Sequence, residues 1–178
     1  MKNTLLALCA PLLALTLTSN STPVAPSSAP ALHCQVPCGI YGDQLRIDLM
    51  MEDLTTIEKA MGQLTAFQAE ASPNLNQVVR WTMAKDEHAQ KIQDQVAGYW
   101  LAQRIKLPAA DADKEAQGKY LFQLALMHQV TVAAMKCKQG TDTAQVGKLR
   151  TAALEFSRGY FNEKDFEHIE SHHKGDHK

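Results

Sequence analysis

Met50-Met51-Glu52-Asp53-Leu54-Thr55-Thr56-Ile57-Glu58-Lys59-Ala60-Met61-Gly62-Gln63-Leu64 places apolar residues at 50, 54, 57, 61 and 64. They are spaced alternately by four and three, so they share one face of an α-helix, a stripe suited to a bundle core. The helical pattern extends from about Asp43, the expected N-cap, to about Ala71. Ser72-Pro73-Asn74 then breaks it, because proline restricts the residue before it and Ser and Asn favour turns.

Three further helical segments follow. One runs from about Leu75 to Lys106, with Val78, Ile92, Val96 and Tyr99 on one side and Lys85, Asp86, Glu87 and Lys91 near the polar side. Pro108-Ala109-Ala110 ends it. The next, about Asp113 to Gln139, carries Leu121, Leu124, His128, Val132 and Met135 on one stripe. A histidine on such a stripe reads as a hydrogen-bonded core residue rather than a ligand. Gly140-Thr141-Asp142 supplies a stop and the next cap. The last segment starts near Thr143, with Val146, Leu149, Ala153, Phe156 and Tyr160 spaced by threes and fours. No stretch alternates with period two for long enough to read as a strand. The expected fold is all-α, an antiparallel, up-and-down four-helix bundle over 43–162.

The chain of 178 residues has room for one domain with a hydrophobic core. Its 45% hydrophobic and 21% charged residues are ordinary globular composition rather than disorder. Lys2 is the single charged residue in the first 32, leaving 17 basic and 19 acidic groups beyond it, a difference of −2. That near-neutral balance offers no basic patch for nucleic acid. Met1-Lys2-Asn3 followed by the apolar run Leu5 to Leu17 resembles a signal peptide, and the run is too short for a stable bilayer span. Ser19 to Pro30 reads as an unfolded spacer before a cut. Residues 1–32 are therefore expected to be a removed leader, and the mature chain to be exported, periplasmic or extracellular, without a membrane segment. The alternative is a cytoplasmic chain with a dedicated leader peptidase. At the other end, 163–178 forms a tail with His168, His172, His173 and His177. It reads as a solvated, frayed terminus, or as a weak transition-metal trap.

Four cysteines are present, at 9, 34, 38 and 137. Cys9 lies in the leader, and Cys137 follows an apolar helical stretch, as a buried small hydrophobe would. The remaining pair sits in His33-Cys34-Gln35-Val36-Pro37-Cys38-Gly39-Ile40-Tyr41. A structural zinc site would need four protein ligands, and no second cysteine pair follows. A thioredoxin-like pair would have two intervening residues in a strand-to-helix setting, whereas here there are three and no strands. A disulfide across Pro37 is open to an oxidising compartment. The fourth reading is a thiolate metal site at a chain terminus. If cleavage precedes His33, the new amine, the Cys34 amide nitrogen and two thiolates form a square of donors that suits nickel(II), with the His33 imidazole as an axial fifth.

The same nine residues match the signature His-Cys-x-x-Pro-Cys-Gly-x-Tyr of nickel-containing superoxide dismutases at every fixed position, and the chain resembles that family. The resemblance implies a nickel-binding hook over 33–42 on a four-helix subunit, with six subunits in a hexamer. It implies one nickel ion per subunit, superoxide as substrate, and a peptidase that removes the leader. By position, His33, Cys34 and Cys38 are the metal ligands and Pro37 turns the hook. Gly39 lets the backbone leave it, and Tyr41 stands over the open face as the catalytic phenol. Arg46-Ile47-Asp48 is similar to the family's Arg-Ile-Glu, and the run Arg80 to Ile92 puts His88 where the family has Arg. Asp48 and His88 are thus the expected partners that aim the axial imidazole. Both are departures, since Asp is shorter than Glu and His is not a permanent cation. Gln35 stands where some members have Asp. A contrasting reading keeps the same ligands in an exported helical metal carrier or sensor without catalysis.

Overall fold

The computed structural model describes residues 42–173. They form α1 (Asp43–Gln68), α2 (Leu75–Gln95), a π-helical segment (Val96–Arg104), α3 (Lys114–Gln139), α4 (Ala144–Tyr160) and α5 (Glu163–His173). The described residues are all-helical, with no strand among them. None of these helices is long and apolar enough to cross a membrane.

Polar side chains set several of the helix starts. Asn74 accepts the Gln77 amide at 3.3 Å, and Asp113 accepts that of Ala116 at 2.8 Å. Each therefore satisfies an amide that the first turn leaves without a partner. Asp142 does the same for Ala144 at 3.0 Å, one residue ahead of the formal cap Thr143. Asp43 departs from expectation. Gly42 occupies the cap of α1 without a side-chain bond, and Asp43 is the first helical residue. Its carboxylate is engaged by other helices instead.

α1 packs on α2, α2 on α3, α3 on α4 and α4 back on α1, while α5 closes against α1 and α4. The buried face of α1 contains every residue of the quoted stripe, Met50, Leu54, Ile57, Met61 and Leu64. It meets Ile92, Val96 and Trp100 from the second segment, Met127 and Val130 from α3, and Leu149 and Phe156 from α4, in one cluster. Full burial of side chains of this kind stabilises by about 1.5–3 kcal/mol each, which is the main force holding the helices together. Trp100 lies edge-on to Tyr99, Phe156 and Tyr160, with ring centroids 4.9–5.2 Å apart. Replacing this buried indole by alanine would leave a cavity and cost about 3–5 kcal/mol.

Three further readings are corrected. His128 is exposed rather than in the core. The face of α3 that packs inward is Gln123, Leu126, Met127, Val130, Ala133, Ala134 and Cys137, while Leu121 is 62% exposed. That face mixes Leu126, Met127 and Val130 with alanines and a glutamine, while Leu121 and Met135 are large apolar residues left exposed, so apolar residues occur around the helix and the stripe through 121, 124, 128, 132 and 135 lies to one side of the packed face. Lys85 is not on the polar side but buried. Its ammonium donates at 2.7 Å to the carbonyls of Cys137 and Lys138 and to Asp86. Gly140 after α3 is extended rather than left-handed, so Lys85 takes the carbonyls that a C-terminal turn would otherwise satisfy. Finally, the tail is helical as far as His173, and Phe166 and Ile169 are buried.

Candidate metal centre and its supports

The nine residues of the hook signature, with His33, Cys34, Pro37, Cys38 and Tyr41, lie outside the described residues. What is described is the base from which they leave. Gly42 is exposed, with extended backbone, and Asp43 opens α1 directly after it.

The Asp43 carboxylate is the meeting point of three elements. One oxygen accepts the Tyr99 hydroxyl at 2.5 Å, and the other accepts the Tyr160 hydroxyl at 2.7 Å and the Arg104 guanidinium at 2.5 Å. Tyr99 and Arg104 are five residues apart. In an α-helix that spacing separates side chains by roughly 140° around the axis. They lie in the π-helical segment, where bonding runs from i to i+5 and brings residues five apart into register. The Ile105 amide reaches the Trp100 carbonyl at 2.8 Å, and the Gln103 side chain reaches the Gly98 carbonyl at 2.7 Å, each across five positions.

Burial works to raise the pKa of Asp43. The bonds from Tyr99, Arg104 and Tyr160, with the Arg104 charge, outweigh it and hold the carboxyl below its usual range. Arg104 is correspondingly pushed up, chiefly by its bond to Asp43. Burial first, then the anion it faces, raises the Tyr160 hydroxyl. The three shifts agree that Asp43 is a stable anion held by cationic and hydroxyl donors.

A groove runs between α1 and the second helical segment, lined by Arg46, Asp53, His88, Gln95 and Tyr99 among others. The Arg46 guanidinium stands 4.9 Å from the Tyr99 ring centroid, and its carbonyl accepts the Gln95 amide at 2.5 Å. His88 Nδ1 lies 2.6 Å from an Asp53 oxygen. The structure thus brings His88 to Asp53. Asp48 is half-buried on α1 and is not among the residues lining this groove. Asp53 is not singled out by the sequence because an acid between the apolar positions of the α1 stripe looks like any other polar residue of that helix. The cross-helix register that pairs it with His88 is visible only after folding.

Among the described residues no group of three or more His, Cys, Asp or Glu side chains could hold a metal ion. Cys137 is fully buried, and burial pushes its thiol up to about 11. It stays protonated at neutral pH and is not a thiolate donor. His168 is exposed and joins no such group. Between residues 33 and 178 the other thiols in the sequence are those of Cys34 and Cys38, with the His33 imidazole next to them in the chain. Two thiols, an imidazole and main-chain nitrogen fit nickel by donor type.

A sequence model of the nickel-containing superoxide dismutase family matches residues 27–164, which include the whole hook signature and the first four α-helices. No curated protein and no solved structure matches the chain.

Proposed function

This chain belongs to the nickel-containing superoxide dismutase family, an oxidoreductase with a nickel cofactor and superoxide as substrate, and we propose that its centre forms at the N-terminus released by cleavage before His33. His33 supplies its terminal amine and its imidazole, Cys34 its main-chain nitrogen and sulfur, and Cys38 its sulfur. Pro37 turns the chain so that both sulfurs can reach one ion. Bound nickel supplies one-electron chemistry, alternating between Ni(II) and Ni(III).

One superoxide gives up an electron and leaves as dioxygen, while a second gains an electron and two protons and leaves as hydrogen peroxide. Tyr41 limits access to the centre and orders water for the second half. Asp48 and His88 aim the His33 imidazole, with His88 held by Asp53 on the neighbouring helix. Ligand-aiming partners of this kind govern the donor strength of an imidazole as well as its direction. The helices form an antiparallel four-helix subunit, and six subunits assemble. The leader carries the chain out of the cytoplasm and is removed by a peptidase.

The observation that carries this reading is the uninterrupted signature from His33 to Tyr41 inside the matched span. The test is superoxide decay followed with wild-type and Cys38→Ser protein loaded with nickel. The reading expects the variant to lose at least 100-fold in rate. Retention of wild-type activity without the Cys38 sulfur would overturn it.

A further inference from the structure

We infer that Asp43 is a positioning residue for the dismutation reaction, fixing through Tyr99, Arg104 and Tyr160 the point from which the metal-binding stretch leaves the helices. The inference rests on the reading that residues 33–41 hold the nickel. It concerns how that stretch is aimed.

Three observations converge on it. First, Asp43 is a helix-opening acid that caps nothing in its own helix. Gly42 forms the cap without a side-chain bond, while the Asp43 carboxylate takes three donors from outside α1. Second, two of those donors reach it because the chain from Val96 to Arg104 is π-helical. Such segments are rare and concentrate at functional sites, and this one meets the carboxylate with both Tyr99 and Arg104. Third, Asp43 is two residues from Tyr41 and five from Cys38. A chain spans at most about 3.3–3.6 Å per residue, so the last ligand of the hook lies within roughly 18 Å of this anchor. Gly42 itself borders open space, since a Cβ built on it would meet nothing within 4 Å. Among the described residues Asp43 is therefore the first whose side chain is bonded to other helices, which is where the inference places the aiming of the hook.

An ion pair that only joins helix ends would affect stability and leave the reaction alone. The two roles separate when wild-type holoenzyme is compared with Asp43→Asn and with Glu58→Gln. The latter breaks an α1–α4 ion pair to Arg150 of 3.0 Å elsewhere on the bundle. For each protein the nickel content, the superoxide decay rate per bound nickel, the melting temperature and the electron paramagnetic resonance of the oxidised form are recorded. Asp43→Asn is expected to lose at least tenfold in rate per nickel and to change the resonance line shape, while Glu58→Gln keeps both. If Asp43→Asn does not fold, Tyr160→Phe removes one of the three donors and is expected to lose severalfold per nickel. An unchanged rate and line shape in the variant that folds would overturn the inference alone. Nickel-loaded wild-type protein without activity would overturn the hook reading and this inference with it.

Discussion

His88 on α2 and Asp53 on α1 are joined by a 2.6 Å contact between Nδ1 and a carboxylate oxygen. With a carboxylate oxygen as the acceptor, Nδ1 is the donating nitrogen of this contact. Both side chains are partly shielded, at 26% and 15% exposure, which protects the pair from full solvent screening. If this pair aims the His33 imidazole, His88→Ala lowers the dismutation rate by about 10–100-fold, the usual loss for partners that orient a metal ligand. Asp53→Asn gives a smaller loss in the same direction. Rates at matched nickel content check this. A change in melting temperature with no change in rate would assign the pair to stability alone.

The Asp43 network sets an acid limit to stability. Its folded pKa lies below the unfolded value of 3.8, so its contribution is present above pH 4 and lost as pH falls through the folded value. Wild-type protein is expected to lose stability on acidification below pH 4 more steeply than Asp43→Asn. Denaturant midpoints at pH 7 and at pH 3 check the difference, which should shrink at the lower pH. At the alkaline end the sign reverses for Tyr160. Its raised folded pKa makes its share full below the unfolded value of 10.0 and lost as pH rises through the folded value.

Lys85 gives a prediction about folding with none about catalysis. Lys85→Met leaves the carbonyls of Cys137 and Lys138 without their buried donor. Unsatisfied groups of this kind cost about 1–3 kcal/mol. A loss of about 2 kcal/mol would lower the melting temperature of a chain this size by on the order of 5 °C. Thermal unfolding measures it, and the rate per folded, nickel-loaded chain should match wild type.

Cys137 is predicted to be inert. At pH 8 a thiol reagent should modify Cys34 and Cys38 in nickel-free mature protein and reach Cys137 only after unfolding, as read by mass spectrometry. Because its folded pKa of about 11 exceeds the unfolded 9.0, its contribution is intact below pH 9 and lost as pH rises through 11.

The legibility of the sequence follows physical rules. The α1 stripe and the α4 stripe were readable because large apolar side chains recur at helical spacing and all meet the core. The α3 face is hard to read because large apolar residues lie both inside, as Leu126, Met127 and Val130, and outside, as Leu121 and Met135, while Ala133, Ala134 and Gln123 are buried with little hydrophobic signal. Lys85 and Asp43 look like solvated or capping charges by residue type. Their roles depend on partners 52 to 117 positions away, which no local pattern encodes. The π-helical segment is likewise unmarked in the sequence, since its residues suit an α-helix equally well. The proposed metal donors are the opposite case. His33, Cys34 and Cys38 declare themselves by type and spacing, whereas the pairing of His88 with Asp53 required the fold.

The central claim is that the chain works with His33 as its first residue. Intact mass and nickel content of the active protein purified from its native source test it together. The account predicts a mature chain beginning at His33 with one nickel per subunit. An active chain that begins at Leu32 or earlier, with its terminal amine displaced from the hook, would contradict it.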